Sequence, residues 1–399
     1  MLNFNEICID RPVGTKGNND VMNLLHKAFS SLEYKIIELP CDCSVWRQDY
    51  SFVEQNSNKI EIFPSPFSRE LKGCFPIKYV SSITELKGIK NFKGILAFQD
   101  ELTKNGIMPK DFPFYFPDED KLMYEIVENI NPSGIIAISG QDPASGLNPF
   151  PIFEDANLEI PTAYVSSLEN ITETVEISIE INSKVRKEKT KQIIFRKEGS
   201  SKDIIVIAAH MDSKYFTDGA IDNAAGVYTL FEIAKLLKPE KYHHTIEIVP
   251  FNGEDSPETP GQLAYLKYLD ENNYSIKSVI NIDGVGHVGS ENMFSFYNFD
   301  ENLKTEIITN NHILEGEQWY SGDHGMFVFQ EIPCIAITAS DMFSDLMKIT
   351  HTKKDKIELV DENLLLALTE AISYIIKKIE DNNERENSIR NPSSAERMY

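Results

Sequence analysis

Between Asp203 and Ile282 the chain holds three short runs, 204–209, 245–251 and 278–282, that are apolar almost throughout. A strand with one face in water alternates polar and apolar residues, so runs of this kind predict strands buried on both faces. Helix-length segments at 226–237 and 260–270 separate them, and a strand candidate at 333–338 with a helix at 362–378 extends the pattern. Such alternation predicts an α/β fold: a mixed, mostly parallel sheet covered by helices on both faces.

The residues just beyond each strand limit the chemistry further, because α/β sheets place ligand sites outside the carboxyl ends of their strands. The first run ends in His210-Met211-Asp212, where the histidine can bind a metal through one ring nitrogen while Asp212 fixes the other. Gly219-Ala220-Ile221-Asp222-Asn223-Ala224-Ala225-Gly226 turns tightly into a helix and leaves Asp222 at its start, where a carboxylate can bridge two cations. The second run leads to Glu254-Asp255. Adjacent partly buried acids repel unless cations or a shared proton offset them, so Glu254 is the candidate base and Asp255 the candidate ligand. The third run delivers Asp283, and His351 stands before the last helix with Asp355 four residues on, spaced to hold it. Singly, each piece reads as a strand end, a helix cap or a turn. Five of them in series point to a metal site.

The order His-x-Asp, Asp-Asn, Glu-Asp, Asp, His resembles metallopeptidase family 28, the aminopeptidases related to leucyl aminopeptidase and aminopeptidase Y, over about 203–378. The resemblance implies a zinc exopeptidase fold and a metallo-aminopeptidase acting on peptides with a free N-terminus. It also implies two Zn²⁺ per chain, Co²⁺ or Mn²⁺ being alternatives, with one ion on His210, Asp222 and Asp283 and the other on Asp222, Asp255 and His351. Glu254 matches the general base and Asp212 the partner of His210. The run Trp319-Tyr320-Ser321-Gly322-Asp323-His324 resembles a loop beside the family's site, which gives Tyr320 a role in polarising the scissile carbonyl. After Glu254-Asp255 the chain departs from the family with Ser256-Pro257-Glu258-Thr259-Pro260-Gly261-Gln262, so the substrate pocket does not carry over.

An amphipathic helix at 20–32, capped by Asp20, and a strand at 34–39 precede a stretch of short β-like runs. That stretch resembles an inserted protease-associated-like domain, a smaller β-rich module at 39–165. The catalytic domain would comprise 1–38 and 166–380, and 381–399, polar and aperiodic, is expected to be disordered. The basic run 184–191 reads as a solvated hairpin, and the remaining histidines, His26, His243, His244, His287 and His312, as surface or structural groups.

A formal charge of −23 excludes a nucleic-acid partner and an anionic membrane surface. Five cysteines, with Cys41 and Cys43 too close for an ordinary disulfide, read as reduced thiols. With no apolar run of signal or membrane-spanning length, the expected location is cytoplasmic. Oligomeric state is not legible. Rival readings are a di-zinc aminoacylase or carboxypeptidase, a single-zinc cyclase and a non-catalytic metal-binding protein. The 67 residues between Asp283 and His351 leave little room for the lid domain of the first.

Overall fold

The fold is that of a computed structural model describing residues 2–139, 152–311 and 313–390. Strand β1 (Lys35–Gln48) opens one sheet. The chain then leaves it for β2 (Ser51–Gln55), β3 (Asn58–Pro64), β4 (Leu71–Phe75), β5 (Ile77–Val80), β6 (Ile95–Phe98), β7 (Gly134–Ile138), β8 (Thr162–Val165) and β9 (Ile177–Ile181). It returns with β10 (Ser183–Lys197), β11 (Ile204–His210), β12 (Thr245–Phe251), β13 (Ile276–Ile282), β14 (Asn292–Tyr297), β15 (Leu314–Glu315) and β16 (Cys334–Ala339). The first sheet has the order β1-β10-β12-β11-β13-β16-β14-β15 and the second β4-β9-β2-β3-β8-β7-β6-β5.

In the first sheet β12, β11, β13 and β16 are parallel, so their carboxyl ends open on one side. Antiparallel β10 and β14 flank them. Alternate side chains of β11 enter two cores, as a strand buried on both faces requires. Ile205, Ile207 and Ala209 meet helices Lys16–Ser30, Ala225–Leu237 and the last helix through Phe29, Leu230 and Ile372. Ile204, Val206 and Ala208 meet helix Pro260–Asn272 through Tyr265 and Leu269. The expected mixed sheet with helices on both faces is the fold of this region.

Several boundaries differ from the sequence reading. Helix Lys16–Ser30 starts earlier than expected, and its cap is Thr15, whose side chain accepts from Asn18 N, while Asp20 pairs with Lys16 inside the first turns. Strand β1 does not stop at Leu39 but runs through Pro40 to Gln48, paired along its length with β10. Proline is tolerated there because β1 is the sheet's edge. The basic run 184–191 is that partner strand, not a local hairpin. The second sheet takes its strands from Ser51 to Ile181, so 39 falls inside a first-sheet strand and β9 lies beyond 165. The last helix spans Glu362–Arg390, which corrects the expected disorder for 381–390. Residues 391–399 and His312 lie outside the described residues.

The second sheet is mixed as well. Parallel β5, β6, β7 and β8 are covered by helix Asp118–Ile130 over a core that includes Leu96, Phe98, Ile135, Tyr124 and Val127. All five cysteines are free.

Candidate metal centre

The parallel strands bring the candidate ligands to one end of the first sheet. β11 ends in His210, β12 is followed by Glu254 and Asp255, and β13 by Asp283. Asp222 comes from the turn before helix Ala225–Leu237, which begins tightly because Asn223 Oδ1 accepts from Gly226 N (3.1 Å) and Asn223 Nδ2 donates to Ile282 O (2.8 Å). A Cβ at position 226 would lie 2.3 Å from Asn223 Oδ1, so the approach needs glycine. The Asp222–Asn223 peptide is cis.

Asp222 is central. Its Oδ1 lies 2.9 Å from His210 Nε2 and its Oδ2 2.9 Å from His351 Nε2, so the two oxygens of one carboxylate face two different imidazoles. Asp283 Oδ1 is 3.4 Å from His210 Nε2, and Asp255 Oδ1 is 3.3 Å from His351 Nε2. Two triads that share Asp222 result, His210–Asp222–Asp283 and Asp222–Asp255–His351, and a third group, His210–Glu254–Asp255, lies beside them; in each the ligand atoms lie within 4.8 Å of one another. Glu254 Oε2 stands 3.9 Å from His210 Nε2 and is the most open of these groups, with 25% of its side chain exposed.

Both ring nitrogens of His210 and both carboxyl oxygens of Asp255 are buried with no hydrogen-bond partner. Lone pairs gathered at this density are costly unless a cation or protons lie among them. Nitrogen and oxygen donors from histidine and aspartate are the set that zinc and similar divalent ions take, so the residues fit a divalent-metal site.

The neighbours respond to that crowding. Burial disfavours the charged imidazolium of His351, yet Asp255 and Asp222 outweigh it and hold its pKa up to about 9. His210 is likewise raised, Asp283 and Asp212 overcoming its burial. Burial and the charge of Asp222 push Asp255 up to about 6. Glu254 is raised well above the usual carboxylate range by burial, helped by Asp255, Asp283 and Asp323 against His210. Metal binding must displace these protons.

Backbone donors hold the carboxylates. Asp212 is fully buried, its Oδ1 accepting from Gly253 N (2.9 Å) and its Oδ2 from Asp255 N (3.2 Å), with His210 Nδ1 3.7 Å from Oδ1. It therefore orients the Glu254-Asp255 turn as well as facing His210. Asp355, expected to hold His351, instead accepts from Ile221 N (2.8 Å) and Asp222 N (3.1 Å). The reason is local: His351 has φ 62°, and that turn aims residue 355 at the Asp222 loop. Arg11, fully buried, ties the same loop down by donating to Met211 O, Asp218 O and Gly219 O at 2.8, 2.6 and 2.8 Å.

Tyr320 is half-exposed, its hydroxyl donating to Gln318 Oε1 (3.1 Å) and its ring stacked on Phe329, so it does not join the converging side chains. Asp323 of the same loop is the buried acid there. Its Oδ1 accepts from Gln262 Nε2 (2.8 Å), its Oδ2 has no partner, and burial with nearby Asp283 and Asp212 pushes its pKa up to about 7. Lys214 was also unmarked by sequence. Its ammonium lies 3.0 Å from Glu154 Oε2 and donates to Asp255 O at 2.9 Å. Its only sequence signal is a charge two residues beyond a buried Asp212.

The sequence profile of peptidase family M28 matches residues 192–376. No curated protein matches the chain. Among solved structures, the aminopeptidase from Aneurinibacillus sp. strain AM-1 aligns at TM-score 0.70 and 16% identity, over 95% of this chain and 94% of that one. BSAP, a zinc aminopeptidase from Bacillus subtilis, aligns at TM-score 0.71 and 17% identity over 94% and 93%. The peptidase M28 precursor from Shewanella amazonensis SB2B aligns at 0.65 and 17% over 95% and 93%. At these identities the likeness is one of fold. The profile match assigns residues 192–376 of this chain to a peptidase family M28 domain.

Proposed function

We propose that this protein is a metallo-aminopeptidase that removes N-terminal residues from peptides at a two-zinc centre. The observation that carries the reading is the placement of the two Asp222 carboxyl oxygens against His210 and His351, each with a further aspartate beside it. In this reading His210, Asp222 and Asp283 hold one ion, and Asp222, Asp255 and His351 the other. Bound there, the ions supply Lewis-acid polarisation of the scissile carbonyl and a lowered pKa for the attacking water.

Glu254 is the group placed to take the water's proton, since it is the most exposed of the converging side chains and stands 3.9 Å from His210 without belonging to the two triads that share Asp222. It would hand that proton to the leaving amine nitrogen as the C–N bond breaks, base in one step and acid in the next. Asp212 fixes the turn that carries Glu254, so the base keeps its place during both transfers. The second sheet is read as a protease-associated-like module beside this site. Among the described residues no helix is long and apolar enough to cross a membrane.

The test is an aminoacyl anilide assayed beside an N-acylated amino acid, with and without chelator. The reading expects release from the anilide only, loss on chelation and recovery with Zn²⁺. Activity that survives chelation, or that prefers the acylated substrate, contradicts it.

A further inference from the structure

One ion pair joins the two sheets at the metal centre. Lys214 lies on the loop that leaves β11 after His210 and Asp212, and its ammonium lies between Glu154 Oε2 (3.0 Å) and Asp255, contacting the backbone O at 2.9 Å and Oδ1 at 3.7 Å. Glu154 belongs to the inserted segment, and both its neighbours are pinned there. Phe153 lies in the core of the second sheet, its N–H donating to the Tyr164 hydroxyl, which donates in turn to Phe153 O at 2.8 Å. The Asp155 carboxylate accepts from the backbone N–H of Lys110, Asn157 and Leu158 at 2.7, 2.6 and 3.1 Å. The Glu154 carboxylate is thus placed by the insert and not by the catalytic loop.

The loop is anchored on its other side too. Tyr215 packs edge-on against Trp46 of β1 and Phe67 of the insert at 5.1 and 6.0 Å, and its hydroxyl accepts from Trp46 N at 2.8 Å. Lys214 has little freedom to reach any other group. With 20% of its side chain exposed against 14% for Glu154, the pair is largely shielded from water, where a charge-assisted contact is strong and a lost partner is costly.

We infer that Lys214 is a positioning residue through which Glu154 of the inserted segment fixes Asp255, so that the insert tunes one of the two metal positions. The inference rests on the two-metal reading above. Removing Lys214 frees Asp255 on one side of its triad and leaves Glu154 largely buried without its cation, whereas removing Glu154 leaves the ammonium with Asp255 alone and no longer held at its place by the insert. The Asp222–His210–Asp283 triad, which Lys214 does not touch, keeps its geometry.

Zinc titration calorimetry on the full-length chain tests this with Glu154→Gln, Lys214→Met, the double variant and Lys214→Arg. One of the two zinc sites should weaken by about tenfold or more in each of the first two, the usual size of a change behind a metal ligand. The other site should hold its affinity, Lys214→Arg should retain most of the binding, and the double variant should be no weaker than Lys214→Met alone. In the same variants kcat should fall while KM stays near the wild-type value. Wild-type affinity at both sites in the near-isosteric Glu154→Gln overturns the inference even if Lys214→Met fails to fold. Losses that multiply in the double variant overturn it as well. A wild-type chain that takes up no zinc overturns the two-metal reading together with this one, whereas two wild-type sites indifferent to these changes overturn only this one.

Discussion

Both sheets of this molecule contain a block of parallel strands, yet among the described residues only one block ends in groups that could hold a metal ion. In the first sheet β11, β12 and β13 lead into His210, Glu254-Asp255 and Asp283. In the second, β5 is followed by Ser81-Ser82, β6 by Gln99-Asp100 and β8 by Ser166-Ser167. Those ends satisfy one another locally, as where Gln99 Nε2 donates to Ser81 Oγ at 2.8 Å, and among the described residues the metal-competent triads all lie in the first sheet. A parallel block therefore supplies a common edge where side chains can converge. The residues standing there, and the crossing segments that add Asp222 and His351, decide what the edge does.

That contrast can be broken at several points. Asp222→Ala removes the group shared by both triads and should cost on the order of a thousandfold or more in kcat/KM, the several kcal/mol attributed to metal-assisted charge stabilisation. Metal analysis of the same variant should show neither ion held tightly. Glu254→Gln should lower kcat by about 10²- to 10⁴-fold, the range of general acid–base contributions, with zinc content unchanged. Steady-state kinetics beside metal analysis separates these two outcomes. Asp355→Asn leaves a backbone N–H of the Asp222 loop without its acceptor and should weaken zinc binding by about tenfold, read by competition with a chelator of known affinity. At the second edge, Gln99→Ala should cost about 1 kcal/mol in urea unfolding, the worth of one hydrogen bond, and leave zinc binding and turnover untouched. Lost activity there would mean that the two edges are coupled in a way the Lys214–Glu154 contact does not explain.

The sequence exposed the first sheet because its strands are buried on both faces and so read as unbroken apolar runs. It exposed four of the five ligand candidates because each follows such a run or opens a helix, and His351 only by its order in the series before the last helix. It hid what depends on edges and on turns. β1 carries Pro40, two cysteines and charges, which an edge strand accepts because one side of its ladder is open, so its continuation to Gln48 leaves little periodic signal. Asp355 lies one helical turn's spacing from His351, but the backbone there is not helical, and a left-handed φ at His351 sends the carboxylate to Ile221 and Asp222. Lys214 and Glu154 are 60 residues apart and meet only because the insert folds back over the β11 loop. Tyr320 was placed by loop resemblance alone, and the loop's inward acid is Asp323.

The most direct test of the two-metal centre is anomalous diffraction at the zinc edge from crystals of the zinc-loaded protein. Two peaks should flank Asp222, one toward His210 and Asp283 and the other toward Asp255 and His351. A single peak, or zinc located away from Asp222, contradicts it.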